Sequence, residues 1–365
     1  MAAAAACGDR PVDVGNTACG AALARGRFRG TRPLLDGGER ELEVPYGSGL
    51  NARQIVDLEA LDPDGLVIPA ERFYLRTGAP LDLQAPDPWQ IALTGRVVAP
   101  RTLAIDELLA QVEDIGRLHL ECSGNADGAR FGLMSAGDFA GVPLAWVLSL
   151  VAPTDDATAI RITGRDTHPP ASQSTLGAAW VFRPEELDEA WLVTHQDGAP
   201  IPVDHGAPVR LLVPGWYGCT CAKWVEEIAW VGDDEPATTQ MKEFAARTHQ
   251  DGAPDLARDY APAEAECSAV AVRVEAWEID GDEVFRVIGV IWGGRRQPDA
   301  LRLLMDGRDL GPVQLCEREH ARTWGLWETF LPRNARGTVT LRCEADGVPA
   351  RRLDSRYYAR PVDLG

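Results

Sequence analysis

The sequence predicts an α+β domain followed by an all-β, immunoglobulin-like sandwich. Three observations carry that expectation. At 365 residues the chain is about twice an ordinary domain. Between about 49 and 265, strand-like runs alternate with short helical patterns. From 266 onward, alternating strands recur over about 100 residues, separated by Asp280-Gly281, Gly293-Gly294 and Asp306-Gly307 turns.

Residues 1–48 are rich in Ala, Gly and Arg with little periodicity, and read as a disordered or loosely packed segment. No signal peptide is read there. A strand-like run over 68–80 is stopped by Gly and Pro and carries Arg76 near its end. Strands follow at 89–98, 118–121, 159–163, 191–194 and 209–213. Helices are expected over 102–111, and over 135–150 with Pro143 in its first turn. In the second domain, strands are expected at 270–278, 283–291, 300–306, 324–331 and 338–344. The basic and aromatic stretch 351–360 reads equally well as a surface strand.

The formal charge of −19 argues against a nucleic-acid partner. Acidic and basic residues balance over 268–365, so the excess lies in 1–267, where an anionic ligand would need a locally basic pocket. No apolar run approaches the roughly 20 residues that span a bilayer. The eight cysteines lack a C-x-x-C pair, which excludes the usual zinc and iron–sulfur frameworks. Scattered thiols suit a reducing compartment, and a cytoplasmic location is expected.

Two stretches carry chemistry. In Leu118-His-Leu-Glu-Cys122-Ser-Gly-Asn125 a strand runs into a glycine turn. A thiol there is a small apolar residue, a nucleophile or a one-point ligand for a soft metal. In 199–224, His205, Arg210 and Lys223 surround a strand beside the glycine turns of Gly215 and Gly218. Together they describe an anion pocket, in which Arg supplies a fork and Lys a point charge.

These stretches, with the Arg76 segment, resemble the sulfite oxidase family of molybdenum-cofactor enzymes. The match runs through Cys122-Ser-Gly-Asn, then His205-Gly-Ala-Pro-Val-Arg210-Leu-Leu-Val-Pro-Gly, then Lys223-Trp, and into the second domain through Trp324-x-x-Trp327. The resemblance implies a molybdopterin-binding domain of sulfite-oxidase type over 49–265 and a dimerisation domain over 266–365. Cys122 would ligate molybdenum beside the sulfurs of one molybdopterin, and Arg76 would hold an oxyanion at the metal's open face. His205, Arg210 and Lys223 would hold the pterin and its phosphate, with Thr77, Ser123, Asn125 and Cys219 among the cofactor-binding residues. The reaction would be two-electron oxygen-atom transfer on a small oxyanion or oxo substrate, with an external one-electron acceptor or donor. The protein would be a homodimer.

The chain departs from the family's pattern at several positions. Thr77-Gly78 replaces Asn-His, and Phe131 stands where the family has Trp. By count from Lys223, the active-site tyrosine falls on Phe244. The family's C-terminal arginine is expected at Arg356 or Arg360. These departures open a second reading as an S- or N-oxide reductase. A third is a binding or scaffold protein that kept the fold and lost catalysis. A thiol enzyme pairing Cys122 with His119 is disfavoured, because residues three apart on a strand face opposite ways.

Overall fold

In the computed structural model, the described residues are 12, 19–35, 37, 41–47, 52–63, 66–77, 88–165, 178–316 and 322–365. One antiparallel sheet is ordered Ala199–Pro200, Trp191–Gln196, Met134–Pro143, Glu113–Glu121, and Arg210–Leu212 also pairs with Trp191–Gln196. A second sheet is ordered Arg101–Ala104, Gln90–Gly95, Val225–Val231, Ala159–Gly164, Ala179–Phe182, with Val225–Val231 parallel to Gln90–Gly95. Backbone bonds from Val225 to Val209 and from Leu211 to Ala222 tie the second sheet to Arg210–Leu212. A two-residue ladder of Arg53–Gln54 with Leu75–Arg76 delivers Arg76 to the same region.

Both expected helices of this part are half strand. Residues 101–104 pair with Gln90–Gly95, and only Ile105–Leu109 is helical. Met134–Pro143 is a strand, and Pro143 caps the short helix Leu144–Leu148. The apolar run at 135–143 misled because most of this strand is buried. A continuous apolar run has the same pattern in a buried strand and a buried helix. Gly141 packs so closely that a Cβ would lie 2.4 Å from the Leu192 carbonyl oxygen, which favours sheet packing there. Of the run at 68–80, only Leu75–Arg76 is strand among the described residues.

Residues 268 onward form two antiparallel sheets. One is ordered Arg27–Arg32, Ser268–Ile279, Asp282–Trp292, Gly325–Phe330, Gln314–Leu315; the other Arg308–Pro312, Ala300–Met305, Thr338–Asp346, Arg360–Asp363. Asp280-Gly281 and Asp306-Gly307 are two-residue hairpin turns with all four φ positive, between 52° and 86°, the geometry that Asp-Gly adopts at little cost. Buried apolar residues of both halves form one continuous core. Bonds from Trp324 Nε1 to Leu66 O (2.8 Å) and from His119 N to Arg322 O (2.9 Å) cross between the halves.

The expectation of a loose N-terminal segment is corrected where it is described; residues 1–11 and 13–18 lie outside the described residues. Arg27–Arg32 is the edge strand on Ser268–Ile279. Cys19 and Cys316, read from the sequence as scattered thiols, form a disulfide. Gly20 N donates to Glu328 (2.9 Å), and Arg286 Nη1 donates to Ala21 O (2.6 Å). Arg286 is fully buried and ion-paired with Glu328 and Glu275, so docking this segment also helps satisfy a buried charge. Among the described residues no helix is long and apolar enough to cross a membrane. Thiol titration of denatured, unreduced protein should count two fewer thiols than the eight cysteines, and Cys19→Ser should free the thiol of Cys316.

Candidate active site

Glu113–Glu121 ends one residue before Cys122, as the sequence predicts. Cys122 N donates to Leu133 O (3.0 Å), and Asn125 N donates to Cys122 O (2.9 Å). The Asn125 side chain accepts from Leu133 N (3.0 Å), so Asn125 holds the turn from beneath. Gly124 N points at Cys122 Sγ (3.4 Å). Cys122 is buried and free. The Ser123 hydroxyl is buried against the Cys219 thiol.

Beneath this turn the carboxylate of Glu121 is 1% exposed. Its Oε1 accepts from Tyr358 Oη (2.5 Å) and Arg352 Nη1 (3.1 Å), and its Oε2 from Trp292 Nε1 (2.8 Å). Arg352 Nη2 donates to Ser123 O (2.8 Å) and Arg247 O (3.1 Å), and Tyr357 Oη donates to Asn125 O (2.5 Å). Arg352 also lies over the rings of Tyr217 and Tyr357, 4.5 and 5.1 Å from their centroids. Arg352 is therefore the C-terminal arginine that reaches the cysteine turn. Arg356 is exposed in a left-handed turn, while Arg360 is buried and donates to Ala271 O (2.8 Å). The stretch at 351–360 is a helical turn, Arg351–Asp354, and then a loop, with Arg352 and Tyr358 buried; it is not a surface strand. Phe131 is fully buried and packs on Tyr358 with ring centroids 5.2 Å apart.

The cationic side is built from His205, Arg210 and Lys223 as the sequence groups them. His205 closes the turn Val203–His205, and Gly206 follows with φ +116°. A Cβ on Gly206 would lie 3.0 Å from the Cβ atoms of both Arg210 and Lys223, so the three segments meet at a position suited to glycine. Among the described residues, buried His205 Nδ1 and Arg210 Nε have no hydrogen-bond partner and Arg210 makes no ion pair. Burial, and then the charges of Lys223 and Arg210, pushes the His205 imidazolium down to about 3. Burial lowers the Arg210 pKa too, against the pull of Cys221 and Tyr74. Lys223 Nζ is committed to backbone carbonyls: Thr77 O at 2.8 Å, Asp204 O at 2.5 Å and Arg76 O at 3.5 Å. It clamps the Arg76 ladder to the His205 loop, and Thr77, β-branched at φ +78°, is held strained in that clamp.

Arg76 stands beside Cys122. Burial lowers its pKa, Cys122 opposes that shift, and the like charge of Arg247 adds to it. Cys219 lies in the turn Gly218–Thr220, where burial pushes its thiol up to about 12. Tyr74, not singled out from the sequence, is buried among Cys122, Arg210 and Cys221, and burial holds its phenol well above the usual range. Gly218 makes room for it, since a Cβ there would meet Tyr74 Oη at 2.6 Å. Phe244 ends the helix Thr239–Phe244 and carries the Arg247 guanidinium over its ring at 5.6 Å. His119 sits between the rings of Trp292 and Trp324.

Among the described residues no three of His, Cys, Asp and Glu are placed to hold a bare metal ion. A metal at Cys122 would need ligands from a cofactor. The polar atoms of His205 and Arg210 left without partners among the described residues, buried within a cationic pocket, fit an anionic cofactor carrying hydrogen-bonding groups. Arg352, Arg247 and Tyr74 escaped the sequence reading. The basic and aromatic run Arg351-Arg-Leu-Asp-Ser-Arg-Tyr-Tyr was the one available signal for Arg352.

The model of the oxidoreductase molybdopterin binding domain matches residues 77–239. Sulfite oxidase of Gallus gallus is 24% identical over 375 residues, covering 93% of this chain and 76% of that protein. The protein-methionine-sulfoxide reductase catalytic subunit MsrP of Xanthomonas campestris is 32% identical over 152 residues, 40% of this chain and 45% of that one. The crystal structure of the sulfane dehydrogenase SoxCD from Paracoccus pantotrophus shares the fold, with a TM-score of 0.63 at 18% identity over 88% of this chain and 80% of that one. The chain spans about a fifth of the length of the nitrate reductases it also matches.

Two predictions follow from this geometry. Arg352→Met strands a buried carboxylate and should cost about 3–5 kcal/mol in urea unfolding, while Arg352→Met with Glu121→Gln should cost less than the sum of the single changes. In cofactor-free protein, His205 is neutral when folded and protonates only in the unfolded chain between its ordinary pKa near 6.5 and about 3. Stability should therefore fall as pH drops through that window, by at most about 1.4 kcal/mol per pH unit, and His205→Gln should flatten the dependence in urea midpoints.

Proposed function

The chain belongs to the sulfite oxidase family of molybdopterin oxidoreductases, and from that membership we propose that it carries out two-electron oxygen-atom transfer on a small oxyanion or oxo substrate. The observation that carries the reading is a buried thiol, fixed by its backbone at a strand end, in a pocket where buried Arg210 makes no ion pair among the described residues and His205 keeps an unsatisfied ring nitrogen. Cys122 supplies the soft ligand to molybdenum. His205 and Arg210 hold the pterin and its phosphate, His205 as a neutral ring and Arg210 as a permanent charge. Lys223 acts on the same group from behind, by fixing the Arg76 and His205 loops against each other. Thr77, Ser123 and Cys219 line the cofactor side of the turn. When bound, the molybdenum cofactor supplies the oxygen-atom and electron chemistry. Arg76 presents its fork to an oxyanion beside Cys122.

Sulfite is the default substrate. A second reading, reduction of an S- or N-oxide, rests on Phe244, which leaves no hydroxyl at the position of the family's tyrosine, and on the similarity to MsrP. Single electrons pass to or from an external partner, and the sandwich, of immunoglobulin type in this reading, forms a homodimer. The Cys19–Cys316 disulfide removes the support that scattered thiols lent to a cytoplasmic location.

Protein expressed in a host that makes the cofactor should contain about one molybdenum per chain, and Cys122→Ala less than about a tenth of that. No molybdenum in wild-type protein would sink the enzyme reading and leave a scaffold. With metal present, ferricyanide-coupled sulfite oxidation without viologen-coupled sulfoxide reduction supports the first reading, and the reverse pattern the second.

A further inference from the structure

We propose that Arg247 is a specificity-determining residue of this pocket, pairing with Arg76 to hold the charged oxygens of an anionic substrate over Cys122. The proposal rests on the oxygen-transfer reading above and narrows its substrate class to oxyanions.

Arg247 lies in the turn Ala245–Thr248, which follows directly on the helix ending at Phe244. Its backbone is fixed, because its carbonyl accepts from buried Arg352 (3.1 Å), and its guanidinium lies over the Phe244 ring. Arg247 Nη1 reaches to 3.3 Å from the point where a Cβ on Gly124 would stand, and Cys122 Sγ lies 3.8 Å from that same point. The arginine and the thiol therefore meet across a glycine that keeps the space between them open. Among the described residues Arg247 makes no ion pair, although the acid Glu243 acts on nearby Arg76. The charge of Arg247 acts against that of Arg76, and an anion placed beside both would be held by the two charges together. Two guanidinium groups about the Cys122 turn would suit an oxyanion with several charged oxygens, and give a neutral sulfoxide much less. The aromatic ring at 244 has a positive use in this arrangement, since a phenyl face supports a guanidinium laid on it.

The test uses molybdenum-loaded protein and sulfate as an unreactive oxyanion. Calorimetry should show sulfate binding to wild type, weakened about tenfold or more in Arg247→Ala and partly restored in Arg247→Lys. Gly124→Ala, whose methyl group crowds Nη1, should weaken it in the same direction. Turnover should show the KM for an anionic substrate rising more than kcat falls in Arg247→Ala, with the KM for a neutral sulfoxide unmoved. Equal sulfate affinity in wild type and Arg247→Ala, at equal molybdenum content, overturns the role of Arg247 and leaves the oxygen-transfer reading standing. Sulfate binding that depends on Arg247, in loaded protein that turns over no oxo compound, supports the anion pocket and overturns the reading beneath it.

Discussion

The fold is organised around a carboxylate with no access to water. Glu121 is buried immediately before Cys122, and a carboxylate in that position is tolerable only when donors surround it. The donors come from far along the chain: the Trp292 indole, the Arg352 guanidinium and the Tyr358 hydroxyl. The cysteine strand thus cannot settle without the C-terminal half. Arg352 extends the link to the carbonyls of Ser123 and Arg247, so one side chain fixes the turn that carries the thiol and the turn that carries a facing arginine. Because all these atoms are buried, the cost of losing one partner is set by the charge left behind and not by the modest net worth of the bond.

The same economy explains how an acidic protein builds a cationic pocket. Its surplus negative charge lies in the half that holds the site. The pocket gathers Arg76 and Arg210 from two strands, His205 from a turn and Lys223 from a loop, and one of them is used to hold the others. Lys223, with three donors on a compact head, satisfies carbonyls of both loops. The guanidinium of Arg210 keeps an unpartnered nitrogen. In this division the lysine assembles the pocket and the arginines face its contents.

What was legible in the sequence was local. The Cys122 turn, its strand, the grouping of His205, Arg210 and Lys223, and the Asp280-Gly281 and Asp306-Gly307 hairpins are each decided by a few adjacent residues whose backbone preferences are strong. Residues 135–150 were misread because periodicity separates a half-buried strand from a helix, but not a strand buried on both faces, while the strand within 102–111 is too short and too exposed to show a period. The N-terminal strand Arg27–Arg32 carries polar and basic residues, and only its pairing with Ser268–Ile279 defines it. Arg352 was invisible for a related reason. A charged residue reads as surface unless its partner is known, and the partner lies 231 residues away.

Which sulfur would take the metal proposed above is a question that proximity alone leaves open, since Cys219 and Cys221 also belong to the neighbourhood of Cys122. Burial raises the pKa of both, so at neutral pH each stays a thiol, and a protonated thiol is a poor ligand. Arg210 counteracts burial at Cys221, yet that thiol stays raised, and it accepts from Val213 N (3.5 Å) within the core. Cys122 is placed differently. It ends a rigid strand, has the Gly124 N–H behind its sulfur, and faces the charge of Arg76. A soft metal is drawn to a sulfur held at a fixed strand end near a cation, and among the three Cys122 is the one so placed. Gly124, two residues further on, leaves open the space between that sulfur and the Arg247 guanidinium.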